Sequence, residues 1–201
     1  MNSQPTLILA SSSPRRRSLM REYGYDVELL APTVEEPSLI ETGGSPAQRA
    51  QALSYFKAAS VARHREFGWV IGGDTVVALG DEVFGKPVDR DDAGRILGRL
   101  AGTTHEVLTG LAIIDAGSSR RLISHDVTLI EMRSLSSAEM EAYLDTEAWV
   151  GKAGAYGIQD HGDAFVTNIS GSFTNVVGMP MELLAGMLSR WDYADSTPRE
   201  S

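Results

Sequence analysis

The tightest constraint on this chain's fold lies where Leu7-Ile8-Leu9-Ala10 runs into Ser11-Ser12-Ser13, then Pro14, then Arg15-Arg16-Arg17. The apolar run is long enough only for a buried strand. Beyond the arginines, Leu19 and Met20 resume an apolar pattern at helical spacing, so the stretch reads as strand, loop and helix. Ser13 has the chemistry of a helix cap, and Pro14 suits the first helical position, where its missing N–H would have had no partner. A helix that begins among hydroxyls presents unpaired backbone N–H groups and the positive end of its dipole. The arginines add charge and bidentate donors within one turn. The stretch is therefore a candidate anion site, with phosphate the first anion to consider. On these residues alone, a plain helix start with a solvated arginine face stays open.

The rest of the composition narrows what such a site serves. A net charge of −9 argues against general binding to polymeric nucleic acid, which needs a broad basic surface, and makes three consecutive arginines more informative. The chain has no cysteine, which excludes disulfides and thiolate catalysis, and its four histidines are not closely paired. A hard cation on carboxylates is the metal class to expect. No apolar run reaches the length of a membrane span, and no basic segment followed by an apolar core and cleavage site opens the chain. A cytoplasmic protein without membrane contact is the expectation. At 201 residues there is room for a sizeable core, read as a single unit over residues 1–201 with two closely joined lobes and a frayed polar tail from Asp195.

Further along, Gly24 reads as the stop of the first helix and Tyr25 to Leu30 as a second strand. The loop Ala31 to Pro37 sets Glu35 and Glu36 side by side. Ser45-Pro46 repeats the serine–proline helix start. That helix runs towards Gly68 with an alanine-rich inner face that packs close, and Lys57 on the same side is either a snorkelling stem or a phosphate ligand. In Trp69 to Leu79, β-branched residues flank Gly72-Gly73-Asp74. Glycine within a strand marks a bulge or a close backbone approach, and a carboxylate centred in an apolar strand needs a partner or a function. A turn at Gly80-Asp81 then brings Gly85-Lys86-Pro87 back near Asp74.

Asp91 reads as the cap of a helix whose Ala93, Ile96, Leu97 and Leu100 face inward. Two antiparallel strands, His105–Ile114 and Leu122–Met132, follow across a turn at Ala116 to Ser118, with His105 as a hydrogen-bonded strand residue. Ser136 to Glu139 is a capping box. Gly151-Lys152-Ala153-Gly154-Ala155-Tyr156-Gly157-Ile158-Gln159 reads as a loop whose glycines admit a ligand to the backbone and whose Gln159 amide can read a base edge. A strand from Phe165 to Ile169 and a helix starting at Met179-Pro180 complete the pattern.

Taken together, Ser11 to Arg16, Val34-Glu35-Glu36, Gly73-Asp74-Thr75, Gly85-Lys86-Pro87, Gly102-Thr103-Thr104-His105 and Lys152 to Gln159 resemble the Maf family, in order and at compatible spacing from about Leu7 to Leu188. The resemblance implies an α/β fold similar to inosine triphosphate pyrophosphatase: an elongated mixed β-sheet flanked by helices, with a cleft between two lobes. It implies metal-dependent hydrolysis of nucleoside triphosphates, in a family first named for inhibition of septum formation. Within the family, the branch acting on dTTP and UTP has arginine after the proline, threonine after the aspartate and glutamine at the end of the glycine-rich loop. Arg15, Thr75 and Gln159 match those positions. A branch acting on 7-methyl-GTP typically has tryptophan, glutamine and glutamate there. Gly73 departs from the alanine usual in the first branch.

On that resemblance the chain is expected to cleave dTTP, UTP and modified pyrimidine triphosphates between the α and β phosphates. Ser13, Arg16 and the helix N-terminus would hold phosphate oxygens, and Lys57 and Lys86 would offset charge on the β and γ phosphates. Glu36 and Asp74 would carry Mg²⁺ or Mn²⁺, and Asp74 matches the family's proton acceptor, so its two roles compete. The contrasting reading is a nucleotide-binding regulator of septation for which hydrolysis is incidental. Retention of Glu36, Asp74 and Lys86 favours the enzyme, and the sequence leaves a homodimer open.

Overall fold

The computed structural model describes residues 5–32, 44–118, 120–159 and 164–191. Strand β1 (Leu7–Ala10), helix α1 (Pro14–Glu22) and strand β2 (Val27–Leu29) form the first unit, and Gly24 turns the chain with φ 78°. Helix α2 (Pro46–Ala62) follows, with a complete capping box between Ser45 and Gln48. Next come β3 (Trp69–Leu79), β4 (Glu82–Phe84), α3 (Arg90–Leu100), β5 (Thr104–Asp115), β6 (Arg121–Met132) and α4 (Ser137–Leu144). After a short 3₁₀ turn at Ala153–Ala155, β7 (Val166–Ser170), α5 (Phe173–Val177) and α6 (Met181–Ser189) complete the described chain.

The strands form one mixed seven-stranded sheet in the order β2-β1-β3-β5-β6-β7. β1 lies parallel to both β2 and β3, whereas β5, β6 and β7 add antiparallel strands. Because successive strand residues face opposite ways, β1 divides its side chains between two cores. Leu7 and Leu9 join Ile71, Leu111 and Ile113 under α3, α4 and α6, and Ile8 and Ala10 join Val70, Ala112 and Ile114 under α2.

The sheet has a gap where it matters for function. β5 runs along one edge of β3 from Trp69 to Ala78, so β1 and β4 share the other edge. β1 stops at Ala10, opposite Gly72, and β4 pairs only from Val77 to Leu79. Gly73 to Val76 are left without a strand neighbour on that edge among the described residues, an opening of about 13 Å at strand rise. The chain leaves β1 for α1 at the mouth of this opening, the position beyond a strand's carboxyl end where open α/β sheets hold ligands.

Several boundaries differ from the sequence reading. The cap of α3 is Asp89, whose Oδ1 accepts from Asp92 N at 2.8 Å, and Asp91 falls in the first turn, where its charge suits the helix dipole. Ser13 occupies the cap position of α1 without a side-chain cap bond; its own N–H donates to Ser11 Oγ at 3.2 Å. Helix α5 was not legible by periodicity because five residues do not complete two turns, although Ser172 caps it and Gly178 ends it with φ 114°. Pro180 caps α6, which therefore starts at Met181. Glu35 and Glu36, and the tail from Asp195, lie outside the described residues.

Candidate active site

Over the open edge of β3 lies a cleft of about 350 Å³ between the Ser11–Arg16 segment and the Gly151–Gln159 loop. Ser13, Arg15, Arg16, Lys57, Asp74, Thr75, Lys86 and Gln159 all line it. Residues singled out on separate stretches of sequence are thus brought to one surface, and Glu36 alone of the expected site residues lies outside the described chain.

Asp74 and Thr75 are neighbours in β3 and so turn to opposite faces. Asp74 faces α2, where Lys57 Nζ donates to its Oδ1 at 2.5 Å; the two residues are 4% and 8% exposed. Of the two sequence readings of Lys57, the snorkelling stem is ruled out, since its ammonium group is buried on a carboxylate. The pair forms because α2 lies directly on β3. A Cβ on Gly72 would sit 2.3 Å from Ser54 O and 2.8 Å from Ala58 N, so only glycine allows this approach. Asp74 is the one carboxylate lining the cleft among the described residues, and its Oδ2 has no hydrogen-bond partner there.

Thr75 faces the α1 and α5 side. Arg16 braces that wall: Nε donates to Gly178 O at 2.7 Å, Nη2 to Thr75 Oγ1 at 3.1 Å and Nη1 to Ser11 Oγ at 3.4 Å. A guanidinium whose fork is aimed at three protein atoms from three segments sets the shape of the wall as well as its charge. Gly73 lies on the same face, and an alanine Cβ there would approach Arg16 Nε to 3.3 Å. Arg15 reaches across the cleft, its Nη2 donating to Gly151 O at 3.2 Å.

The glycine-rich loop is held from beneath. Gly154 N donates to Gly85 O at 3.0 Å, which joins the two Gly-Lys segments and places Lys86 and Lys152 on one rim. Lys152, whose Nζ donates to Ala148 O, had no role in the sequence reading, yet its Gly151-Lys152 repeats Gly85-Lys86 and was a usable signal. Gly154 has φ 74° and packs where a Cβ would lie 2.7 Å from Val77 Cγ2. Tyr143 Oη donates to Ala155 O at 3.2 Å, and Tyr156 Oη meets His105 Nε2 at 2.7 Å.

Burial pushes the His105 imidazole down to about 4 and the Tyr156 phenol upward, and because Thr103 gives its own proton to Leu100 O, its Oγ1 suits an N–H at His105 Nδ1 and leaves Nε2 to accept from Tyr156. His105 is buried, bonded to Tyr156 and off the cleft lining, which agrees with its reading as a hydrogen-bonded strand residue. The unfolded chain takes up a proton near the ordinary value of 6.5 that the folded chain refuses until about 4. Stability contributed here is full above 6.5 and is lost as pH falls towards 4, on the order of 3 kcal/mol. Urea unfolding of wild type and His105→Gln at pH 7.5 and 4.5 is expected to show a smaller acid loss in the variant.

The family model for Maf-like proteins matches residues 6–191. The chain belongs to the Maf-like family. A protein named dTTP/UTP pyrophosphatase from Pelotomaculum thermopropionicum is 42% identical over 187 residues, covering 93% of this chain and 97% of its own. Proteins of the same name from Desulforamulus reducens and Geobacter sulfurreducens are 41% and 39% identical, covering 90% and 87% of this Maf-like chain. The mixed sheet with helices on both faces agrees with the α/β class expected of the family.

Proposed function

We propose that this Maf-like protein hydrolyses dTTP and UTP between the α and β phosphates, giving the nucleoside monophosphate and pyrophosphate. The observation that carries this reading is one cleft holding a buried Lys57–Asp74 pair, two rim lysines and the polar trio Arg15, Thr75 and Gln159. The names of the relatives from three bacteria support it. A triphosphate's charge is met by Lys86, Lys152 and the N-terminal turn of α1, where Ser13 keeps its hydroxyl out of a cap bond. Water attacks the α phosphorus, the bond to the bridging oxygen breaks, and pyrophosphate leaves. Asp74 Oδ2 is the oxygen placed to take the proton from that water, with Lys57 holding Oδ1 and fixing the carboxylate's orientation.

A divalent cation would compete with the proton for this oxygen: Mg²⁺ binds through one or two carboxylates plus substrate phosphates, and with Oδ1 on Lys57 only Asp74 Oδ2 is open to either role. Asp74 and Glu36 would hold Mg²⁺ or Mn²⁺, which when bound neutralises charge on the phosphates. Base choice is assigned to Arg15, Thr75 and Gln159, since a wrong base covering these groups would leave donors or acceptors unpaired at about 1–3 kcal/mol apiece.

The deciding experiment incubates the purified protein with a nucleotide panel and Mg²⁺ or Mn²⁺ and measures pyrophosphate and monophosphate. Binding without release of pyrophosphate would overturn the enzyme in favour of a nucleotide-binding regulator. Changing Arg15 to Trp, Thr75 to Gln and Gln159 to Glu is expected to lower the kcat/KM ratio of UTP to 7-methyl-GTP at least tenfold. An unmoved ratio in every single and combined variant would place base selection elsewhere in the cleft.

A further inference from the structure

The Thr75 hydroxyl is one link of a buried chain whose hydrogens can be assigned. Thr109 lies directly opposite Thr75 in the β3–β5 ladder, is fully buried, and has its Oγ1 2.9 Å from Thr75 Oγ1 and 2.9 Å from Asn175 O. A carbonyl only accepts, so Thr109 donates its single proton to Asn175 O, and Thr75 must then donate its own to Thr109. Arg16 Nη2, which only donates, occupies a lone pair of Thr75 at 3.1 Å. What Thr75 has left for the cleft is a lone pair. The reverse arrangement, with Thr109 donating to Thr75, frees the Thr75 proton for the cleft but gives up the bond to Asn175 O. Every ligated state of it then has one hydrogen bond fewer than the matching state of the first arrangement, and the bond given up lies between Thr109 and Asn175, both fully buried.

The far end of the chain does not move freely. Asn175 is fully buried, with Nδ2 donating to Val107 O and Thr128 Oγ1, each at 2.9 Å. Thr128 donates its proton to Ser172 O at 3.0 Å, so flipping the amide would set its oxygen against acceptors. The carbonyl that receives Thr109 is thereby fixed in place.

We infer that Thr109 is a positioning residue that makes Thr75 an acceptor towards the cleft, so that the site selects a pyrimidine whose ring offers an N–H over one whose ring nitrogen offers a lone pair. Uracil and thymine carry that N–H, and cytosine does not. The inference rests on the reading of the cleft as a pyrimidine nucleotide site, and it extends the base-choice role from Thr75 to two residues that touch no substrate. It also explains discrimination between bases of the same size, which cleft volume does not provide.

The test compares wild type, Thr109→Val and Thr109→Ser. Valine keeps the shape of threonine but removes the acceptor of the Thr75 proton, which then turns to the cleft; Asn175 O keeps a donor in Gly178 N at 2.9 Å. Wild type is expected to favour UTP over CTP in kcat/KM at least tenfold, Thr109→Val to lower that ratio at least fivefold, and Thr109→Ser to restore it. Dissociation constants for UMP and CMP should move in the same proportion, which a merely structural defect would not produce. An unmoved ratio in Thr109→Val, or a wild-type ratio near one in both measurements, overturns the inference, and the second holds even if the valine variant does not fold. If no triphosphate is cleaved but the UMP to CMP ratio shifts as stated, the hydrolase reading fails and the inference stands.

Discussion

Asp74→Asn is expected to lower kcat for UTP and dTTP by roughly 10²–10⁴-fold, the usual contribution of a positioned proton acceptor. The substitution keeps the shape of the side chain and removes both its charge and its basicity. It does not leave the fold untouched, because Lys57 Nζ is left buried against a neutral amide where it had a carboxylate at 2.5 Å. Removing one partner of a buried pair destabilises proteins by about 3–5 kcal/mol, whereas replacing both by apolar groups is often neutral. The double variant Asp74→Asn with Lys57→Met should therefore regain much of the stability lost in the single variant and none of the activity. Chemical denaturation of both variants alongside pyrophosphate release separates the two effects. Retention of more than a tenth of wild-type kcat in Asp74→Asn, a barrier change under about 1.4 kcal/mol, would remove Asp74 from the reaction.

The site was more legible in the sequence than the reason for its position. Ser45 announced its helix by a serine–proline start and Ser136 by a capping box, both of them local signals, and the structure has both helices. Asp74 stood out because a carboxylate in an apolar strand is costly wherever the strand ends up. The partner of Lys57 was not legible for the complementary reason: it is 17 residues away, and helical periodicity tells which face a lysine takes but not what it meets. Ser13 shows the limit of a motif, having the residue type and position of a cap without the bond. The opening in the edge of β3 was invisible, since it follows from where β1 stops and β4 begins, and pairing register is not written in either strand alone. The Thr75–Thr109–Asn175 chain was invisible for the same reason.

Gly72→Ala is expected to be, with Gly110→Ala, one of the two most damaging single-methyl changes in the sheet. Gly72 lies under α2, and its Cβ would fall 2.3 Å from Ser54 O and 2.8 Å from Ala58 N, both backbone atoms that no rotamer change can move aside. Gly110 on the neighbouring strand is in the same position, with Ala50 O at 2.2 Å and Gln51 N at 2.7 Å from its would-be Cβ. The helix is thus seated on a two-glycine track formed by β3 and β5. One added methyl must lift it by about an ångström, opening the packed layer of Ala58, Val61, Val70 and Ala112. Overpacking of this kind commonly costs 1–3 kcal/mol when side chains can yield; here only backbone can, so a loss above about 3 kcal/mol is expected. Lifting α2 also draws Lys57 away from Asp74, and activity should fall further than the folded fraction accounts for. Gly73→Ala is the control: its Cβ meets Arg16 Nε at 3.3 Å, a side-chain atom that can shift by a few tenths of an ångström, and its effect on stability should stay under about 1 kcal/mol. Equal destabilisation by Gly72→Ala and Gly73→Ala in urea unfolding would mean that α2 is not held on the sheet by this contact, and that the Lys57–Asp74 pair is positioned by something else.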